Sequence, residues 1–399
     1  MHVHPRVVVV GGGFAGVEAV RTLTRSLPKA QVTLIDAHEY ATMLPALPDV
    51  LSGRVRRAAI TVPFRELFDS RIRCVSGRVI RLELESRLVH TEHEALPYDY
   101  LILANGSTPA FYGFEPEEGV LHTVDSFPAA DSLRSALESE LSNKDRCTLV
   151  VVGGGYTGLE VAACAREGFS GAGDRLRVLV VERADEILSG MTQRVKRRVQ
   201  SYLDRSGVSV VTGTSLEALK GDTAVLSDGT TIHDAVVCWS AGMQAATPET
   251  SVDVPAARDK RVHTDETLAL PGYPEVFVAG DASLIMDGDR PVRRAVNFAF
   301  YSGRRAAKNV AARVHGRALR PFKPVDLGWV IPLGGTSSGT VFGFIPVAGR
   351  FGLRLHYLMS GFRHFSFRAA FEFYRTAFHL GRSVDSPRVC GDNDTGGET

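Results

Sequence analysis

Near its start the chain carries an uninterrupted apolar run, Val7-Val8-Val9-Val10, that breaks on three glycines, and the pattern returns at Leu149-Val150-Val151-Val152 before Gly153-Gly154-Gly155. A short β-branched run bounded by glycine reads as a strand buried on both faces, the kind found in parallel sheets. Each glycine turn is followed by a helix-forming segment, one beginning at Phe14 and Ala15, the other at Tyr156 and Thr157. Each of these leads to a second apolar run that ends on an acid, Val32-Thr33-Leu34-Ile35-Asp36 and Val178-Leu179-Val180-Val181-Glu182. Two βαβ units are predicted, and their repetition about a third of the chain apart is the main organising feature.

Between the units, residues 72–96 alternate apolar and polar positions, as a small antiparallel insertion does. A returning strand with a tight turn is predicted around residues 98–107, a hairpin through Asp228-Gly229, and further strands at residues 235–239 and 273–278, the last ending in a Gly-Asp turn. A helical run covers residues 295–314, after which the texture becomes glycine- and aromatic-rich. The expected architecture is α/β, with two nested Rossmann-like dinucleotide-binding domains and a C-terminal amphipathic helical segment. Residues 1–110 with 243–320 form the first domain, 111–242 the second, 321–385 an interface segment, and 386–399 a disordered tail.

A chain of 399 residues exceeds one ordinary core, and 44% hydrophobic with 23% charged residues is a globular composition. The predicted setting is a reducing cytoplasm, because the N-terminus lacks a signal-peptide core and the five cysteines show no CxxC spacing. That scatter also argues against a structural zinc site, so no metal is expected. A formal charge of +1 removes the electrostatic case for a nucleic acid partner.

The glycines carry the chemistry. Gly11, Gly13 and Gly16 stand at GxGxxG spacing after the first strand, and Gly153, Gly155 and Gly158 repeat it after the second. At that spacing the first glycine permits the turn, the second lets backbone N–H groups approach a pyrophosphate, and the third brings helix against strand. The helix N-terminus adds unpaired donors and a positive dipole end. Asp36 and Glu182 then stand where a ribose would be gripped, and an acid at Glu182 disfavours a 2′-phosphate, so NADH is expected over NADPH there. Two complete fingerprints imply two dinucleotides.

With these residues in hand, the chain resembles the two-dinucleotide-binding-domain flavoproteins, and within them the type II NADH dehydrogenase-like branch. The resemblance rests on Gly11-Gly12-Gly13-Phe14-Ala15-Gly16 as an FAD turn and on Met43-Leu44-Pro45 with the glycine at Gly53. It extends to Ala104-Asn105-Gly106-Ser107, Gly153-Gly154-Gly155-Tyr156-Thr157-Gly158-Leu159-Glu160 as an NADH turn, Trp239-Ser240-Ala241-Gly242, and Ala279-Gly280-Asp281 near the flavin. It implies that FAD occupies the first domain and NADH the second, and that Asp281 hydrogen-bonds the flavin's ribityl or phosphate chain. It also implies that the helix beginning near Ala295 aims its positive end at the isoalloxazine, and that Glu160 lies where nicotinamide meets flavin; a first-turn acid complementing the helix dipole is the alternative for Glu160.

The sequence departs from the branch in one place. Where many quinone-reducing members carry two glutamines, this chain has Asn297 and Tyr301. Both can hydrogen-bond a carbonyl, so a quinone remains the expected acceptor. The alternatives are a soluble reductase or oxidase acting on a redox protein, oxygen or a biosynthetic substrate, and a nucleotide-sensing flavoprotein. Residues 36–62 hold no cysteine, which excludes the disulfide reductases, and Cys164 and Cys238 read as buried structural thiols.

In the C-terminal segment Phe351, Leu355, Leu358, Phe362 and Phe365 recur at helical spacing, and Phe367, Phe371, Tyr374 and Phe378 form a second stripe beside Arg368, Arg375 and Arg382. A basic aromatic pattern over residues 351–382 predicts contact with a membrane surface, on the inner face of the cell membrane. A helix pair packed on the protein body or across a homodimer interface is the competing expectation.

Overall fold

The computed structural model describes residues 4–115 and 119–379, so the tail expected to be disordered, and Arg382, lie outside the described residues. The valine runs form the centres of two separate sheets. The first is ordered Ala269–Leu270, Tyr273–Val278, Tyr100–Leu103, Arg6–Val10, Gln31–Asp36 and Arg73–Ser76, parallel throughout except at the Ala269–Leu270 edge. The second, ordered Leu121–His122, Ala235–Trp239, Cys147–Val152, Leu176–Val181 and Val208–Val211, is wholly parallel. Val7 to Val10 and Leu149 to Val152 are all buried, as strands covered on both faces must be.

One expectation needs correcting. Arg73–Ser76 belongs to the first parallel sheet, beside Gln31–Asp36, and not to the antiparallel insertion. The insertion itself is Val79–Glu83, Leu88–Thr91 and Ala95–Pro97, with Glu249–Thr250 added at its edge. Two short strands, Ser107–Pro109 and Met243–Ala245, pair antiparallel where the chain passes between the two sheets and back.

Helix Val296–Val314 crosses helix Phe14–Ser26 at very short range. A Cβ on Gly303 would lie 2.1 Å from the Ala15 carbonyl oxygen, so only glycine permits the approach. The Ser302 hydroxyl accepts from the Gly280 N–H at 2.9 Å, tying the Gly-Asp turn to the same crossing, and Arg304 pairs with the buried Glu18 at 2.6 Å.

After the three-stranded sheet Gly328–Leu333, Thr336–Val341 and Ile345–Ala348, the chain ends in a packed pair of helices, Gly349–Phe362 and Phe367–His379. Both amphipathic stripes are present, but most of their phenylalanines face outward. The inner face is built of Gly352, Leu353, Tyr357, Ser360 and Gly361 on one helix and Ala369, Ala370, Phe373 and Ala377 on the other. Outside, Phe351, Phe362, Phe367, Phe371 and Phe378 are 70%, 69%, 99%, 67% and 69% exposed. Within the described residues, the body therefore does not cover the aromatic face. Of the stripe residues, Phe365 is the buried one, and its ring lies 4.6 Å from that of Phe14.

Gly303→Val tests the helix crossing. Overpacking against backbone costs about 1–3 kcal/mol, and thermal unfolding should move down accordingly; an unchanged midpoint would contradict the close approach.

Candidate functional site: two glycine clefts

Each parallel sheet presents a cleft at the C-terminal ends of its central strands, the place where doubly wound sheets bind ligands. In the first, Gly11 adopts φ +99° and its N–H donates to the Ile35 carbonyl at 2.8 Å. A Cβ on Gly16 would lie 1.7 Å from the Gly11 carbonyl oxygen, so helix and strand meet only because that residue is glycine. The Gly12 N–H donates to the Asp36 carboxylate at 2.6 Å, and the His38 N–H donates to its other oxygen at 2.8 Å.

The second cleft repeats this arrangement atom for atom. Gly153 takes φ +113° and donates to the Val181 carbonyl at 2.8 Å, and a Gly158 Cβ would fall 2.0 Å from the Gly153 carbonyl oxygen. Gly154 and Ala184 N–H groups donate to the two oxygens of Glu182 at 2.7 and 2.8 Å. A Cβ added at Gly13 or at Gly155 would meet nothing within 4 Å, so each turn fronts an open cradle of phosphate scale.

The sheet order sets which way a ligand would run. Asp36 ends a strand on one side of Arg6–Val10, whereas the strands ending beside Ala104 and Ala279 lie on the other. A dinucleotide whose ribose meets Asp36 and whose pyrophosphate meets Gly13 therefore extends over Asn105, Gly106 and Asp281 toward the start of helix Val296–Val314. In the second sheet the corresponding path runs from Glu182 past Gly155 to Ser240 and Gly242, beyond strand Ala235–Trp239. Gly106 and Gly242 each directly precede one strand of the antiparallel Ser107–Pro109 and Met243–Ala245 ribbon, so the two paths lead to opposite ends of one short ribbon.

That end of the first cleft holds unsatisfied polar atoms. Both amide atoms of Asn105, the Nε of Arg294 and the Oδ1 of Asn297 are buried without a hydrogen-bond partner. Buried polar groups are normally paired, and four orphans around one cleft fit a polar ligand such as FAD. Burial raises the Asp281 carboxyl pKa while Arg294 and Arg261 oppose the shift, and the Ser107 hydroxyl donates to it at 3.4 Å. Neither Asn105 nor Arg294 was singled out as a site residue from sequence; Asn105 stood inside the recognised Ala-Asn-Gly-Ser turn, while an arginine just before a helix carries no motif. Tyr112 is a third addition: its φ is +51°, and its ring lies so close that a Cβ on Gly242 would fall 2.2 Å from the hydroxyl.

The other sequence-selected residues are placed as follows. Ala15 packs at Gly280 and Gly303, Ala104 backs Gly11, and Thr157 is exposed on the first turn of helix Tyr156–Gly168. The Tyr156 hydroxyl donates to the Val330 carbonyl. Asn297 donates its amide to the Val325 carbonyl at 2.5 Å, and the Tyr301 hydroxyl accepts from Arg363 at 2.7 Å.

Glu160 is fully buried and belongs to a cluster that sequence reading did not find. The Tyr357 hydroxyl donates to Asp49 at 2.8 Å and accepts from Arg54 at 2.8 Å, while Arg54 also bonds Glu167 and donates to the Gly334 carbonyl at 3.0 Å. Burial drives the Glu160 carboxyl well above the usual carboxylate range, with the Asp49 charge adding to it and Arg54 opposing. A first-turn acid merely balancing the helix dipole would be solvated, so that alternative does not describe Glu160. Burial also pushes the Cys238 thiol up to about 12 and the Cys164 thiol well above its ordinary value, which disfavours thiolate chemistry at both.

Residues 5–303 match the pyridine nucleotide-disulphide oxidoreductase family. A type II NADH:quinone oxidoreductase of Staphylococcus aureus is 25% identical over 378 residues, covering 86% of this chain and 91% of that protein. The structure of NDH2 from Plasmodium falciparum in complex with NADH superposes with a TM-score of 0.81 at 15% identity, covering 96% of this chain and 99% of that one. The sulfide:quinone oxidoreductase of Aquifex aeolicus gives 0.76 at 18% identity, with 93% and 92% covered. At these identities the two structures share the fold.

The buried cluster gives a pH prediction. Burial lifts the Asp49 carboxyl from 3.8 to about 6. The folded state therefore holds a proton that the unfolded state has released, and this contribution to stability is present below about pH 4 and lost as pH rises through about 6. Urea unfolding of the protein and of Asp49→Asn should show a stability difference that changes by up to about 3 kcal/mol across that window; parallel curves would refute the assignment.

Proposed function

Because the chain belongs to the pyridine nucleotide-disulphide oxidoreductase family, we propose that it is an FAD-dependent NADH dehydrogenase whose electrons pass to a quinone. The observation that carries this reading is the duplicated glycine-carboxylate cleft, with both ligand paths running to one ribbon. The activity named for the Staphylococcus aureus relative supports the choice of donor and acceptor. Bound FAD would supply the two-electron acceptor that takes hydride from NADH and releases the pair to the quinone.

The chain's own residues bind and orient. Gly11, Gly13 and Gly16, with Phe14 and Ala15 opening the helix, hold the FAD pyrophosphate, Asp36 its adenosine ribose, and Asn105, Gly106 and Asp281 the flavin side. Gly153, Gly155 and Gly158, with Tyr156 and Thr157, hold the NADH pyrophosphate, Glu182 its ribose, and Gly242, packed against the Tyr112 ring, borders the nicotinamide end. Burial favours the protonated form of Glu160, which packs inside the helix that follows the NADH turn. Asn297 and Tyr301 face the acceptor: the phenol, already accepting from Arg363, keeps its own proton free to donate to a quinone carbonyl.

The outward phenylalanines, interleaved with Arg350, Arg354, Arg368 and Arg375, serve as the contact with the inner surface of the cell membrane. No helix among the described residues is long and apolar enough to cross a membrane. The chain thus meets the lipid at its surface.

Replacement of the expected amides by Asn297 and Tyr301 favours, as second reading, a reductase acting on oxygen or a redox protein. Side-by-side assays of NADH oxidation with a soluble quinone, a one-electron dye and oxygen decide between them, the quinone rate being expected highest. Negligible turnover with all three by an FAD-loaded protein would leave only a sensor. Glu182→Gln should reduce the preference for NADH over NADPH roughly tenfold, about 1.4 kcal/mol, measured as the ratio of kcat/KM values.

Changing Phe351, Phe362, Phe367, Phe371 and Phe378 together to Ser should abolish flotation with anionic liposomes while leaving the unfolding midpoint near its original value. Truncation would be a poorer test, since it strips Leu353 and Tyr357 from the core. Unchanged flotation would remove the membrane assignment, and a switch from dimer to monomer in sedimentation would give the face to a second copy.

A further inference from the structure

Arg294 stands one residue before Ala295, the N-cap of helix Val296–Val314, where the first ligand path ends. Its Nη2 lies 3.0 Å from Asp259 Oδ2, and the Arg261 Nε lies 2.8 Å from the same oxygen. Two guanidiniums thus share one carboxylate, and the buried Asp281 carboxyl lies within electrostatic reach of both. Asp259 is itself fixed to the interdomain ribbon, because its carbonyl accepts from the Ala245 N–H at 2.9 Å. The Arg294 side chain is 22% exposed, and its Nε is buried with no acceptor among the described residues. A cation has been immobilised beside a helix N-terminus with one donor left over.

Hydride carries two electrons and one proton, so its arrival leaves one net negative charge on a neutral ring. A preorganised cation and a helix N-terminus at that spot bind the charged form more tightly than the neutral one, which raises the reduction potential. We infer that Arg294 is the residue that tunes the potential of the bound flavin, by favouring its two-electron reduced form over its oxidised form. The inference rests on the flavoprotein reading and adds to it a residue outside the recognised motifs.

The test is a dye-equilibrated redox titration of the FAD-loaded protein, together with FAD affinity from quenching of flavin fluorescence. Arg294→Met should keep its affinity for oxidised FAD within about threefold, and lose about tenfold in relative affinity for the reduced form. For a two-electron couple that is a fall of about 30 mV. Arg294→Lys, which keeps the charge, should recover part of the fall. Asp259→Asn removes the arginine's anchor but keeps the cation, so its potential should hold or rise.

An Arg294→Met protein that binds FAD at the parent's potential overturns the inference. So does a fall of equal size in Asp259→Asn, which would assign the effect to lost anchoring. A folded parent that takes up no FAD overturns the flavoprotein reading itself, and this inference with it; the two failures are thus told apart by whether the yellow chromophore is retained.

Discussion

Each nucleotide cleft depends on one contact, the hydrogen bond from the middle amide of a glycine turn to the carboxylate at the end of the neighbouring strand. The Gly12 bond to Asp36 and the Gly154 bond to Glu182 are charge-assisted, a class that contributes about 1.5–3 kcal/mol each. The bond pins a turn of small, flexible residues into a shape whose remaining N–H groups face outward. It also brings a negative charge close to the cradle. An ionised carboxylate has about four lone-pair sites, and each of these two spends one on the turn and one on a backbone amide further on. At Glu182 the rest remain for ribose hydroxyls, while at Asp36 the His38 ring lies 3.5 Å from the same carboxylate; a single acid thus builds the turn and is placed to meet a ribose.

The parts of the fold visible in the sequence are those where one residue type has one job. The valine runs could only be two-sided strands, and Gly16 and Gly158 had to be glycine because a Cβ would enter the carbonyl of the turn. Strand Arg73–Ser76 was misplaced because three of its four residues are exposed, so its pattern says nothing of which sheet it joins. Asp49 and Arg54 carry no sequence motif of their own. Their burial depends on Tyr357, about three hundred residues away, and no local pattern encodes a pairing at that distance. Asn105 and Arg294 escaped for a related reason: what marks them is a missing partner, which exists only once the chain has folded around the cleft.

The Asp49 cluster also explains how the C-terminal helices come to be part of the body. Arg54 bonds to Tyr357 from one of those helices, to Glu167 from the second nucleotide helix and to the Gly334 turn of the last sheet, while its own loop follows the first ribose acid. Four segments meet on one guanidinium. Buried ion pairs add little net stability, because desolvation offsets the attraction, but removing one member is costly and the geometry admits one arrangement. The network therefore acts mainly as a registration device, fixing where Tyr357 sits and hence which face of its helix turns inward.

That orientation decides the character of the opposite face. With glycine, serine and alanine filling much of the inner seam, the two helices approach closely, and the large rings at Phe351, Phe362, Phe367, Phe371 and Phe378 have no room inside. Burying half of one such ring, about 100 Å², is favourable by about 2.5 kcal/mol. Five of them leave a large driving force unspent on folding. Arg350, Arg354, Arg368 and Arg375, the last paired with Glu372, lie among them and keep the face hydrated in water. A neutral apolar partner would have to desolvate those guanidiniums without compensation. An anionic lipid surface would accept the rings below and the arginines at headgroup depth, which is why this spacing supports the proposed membrane contact.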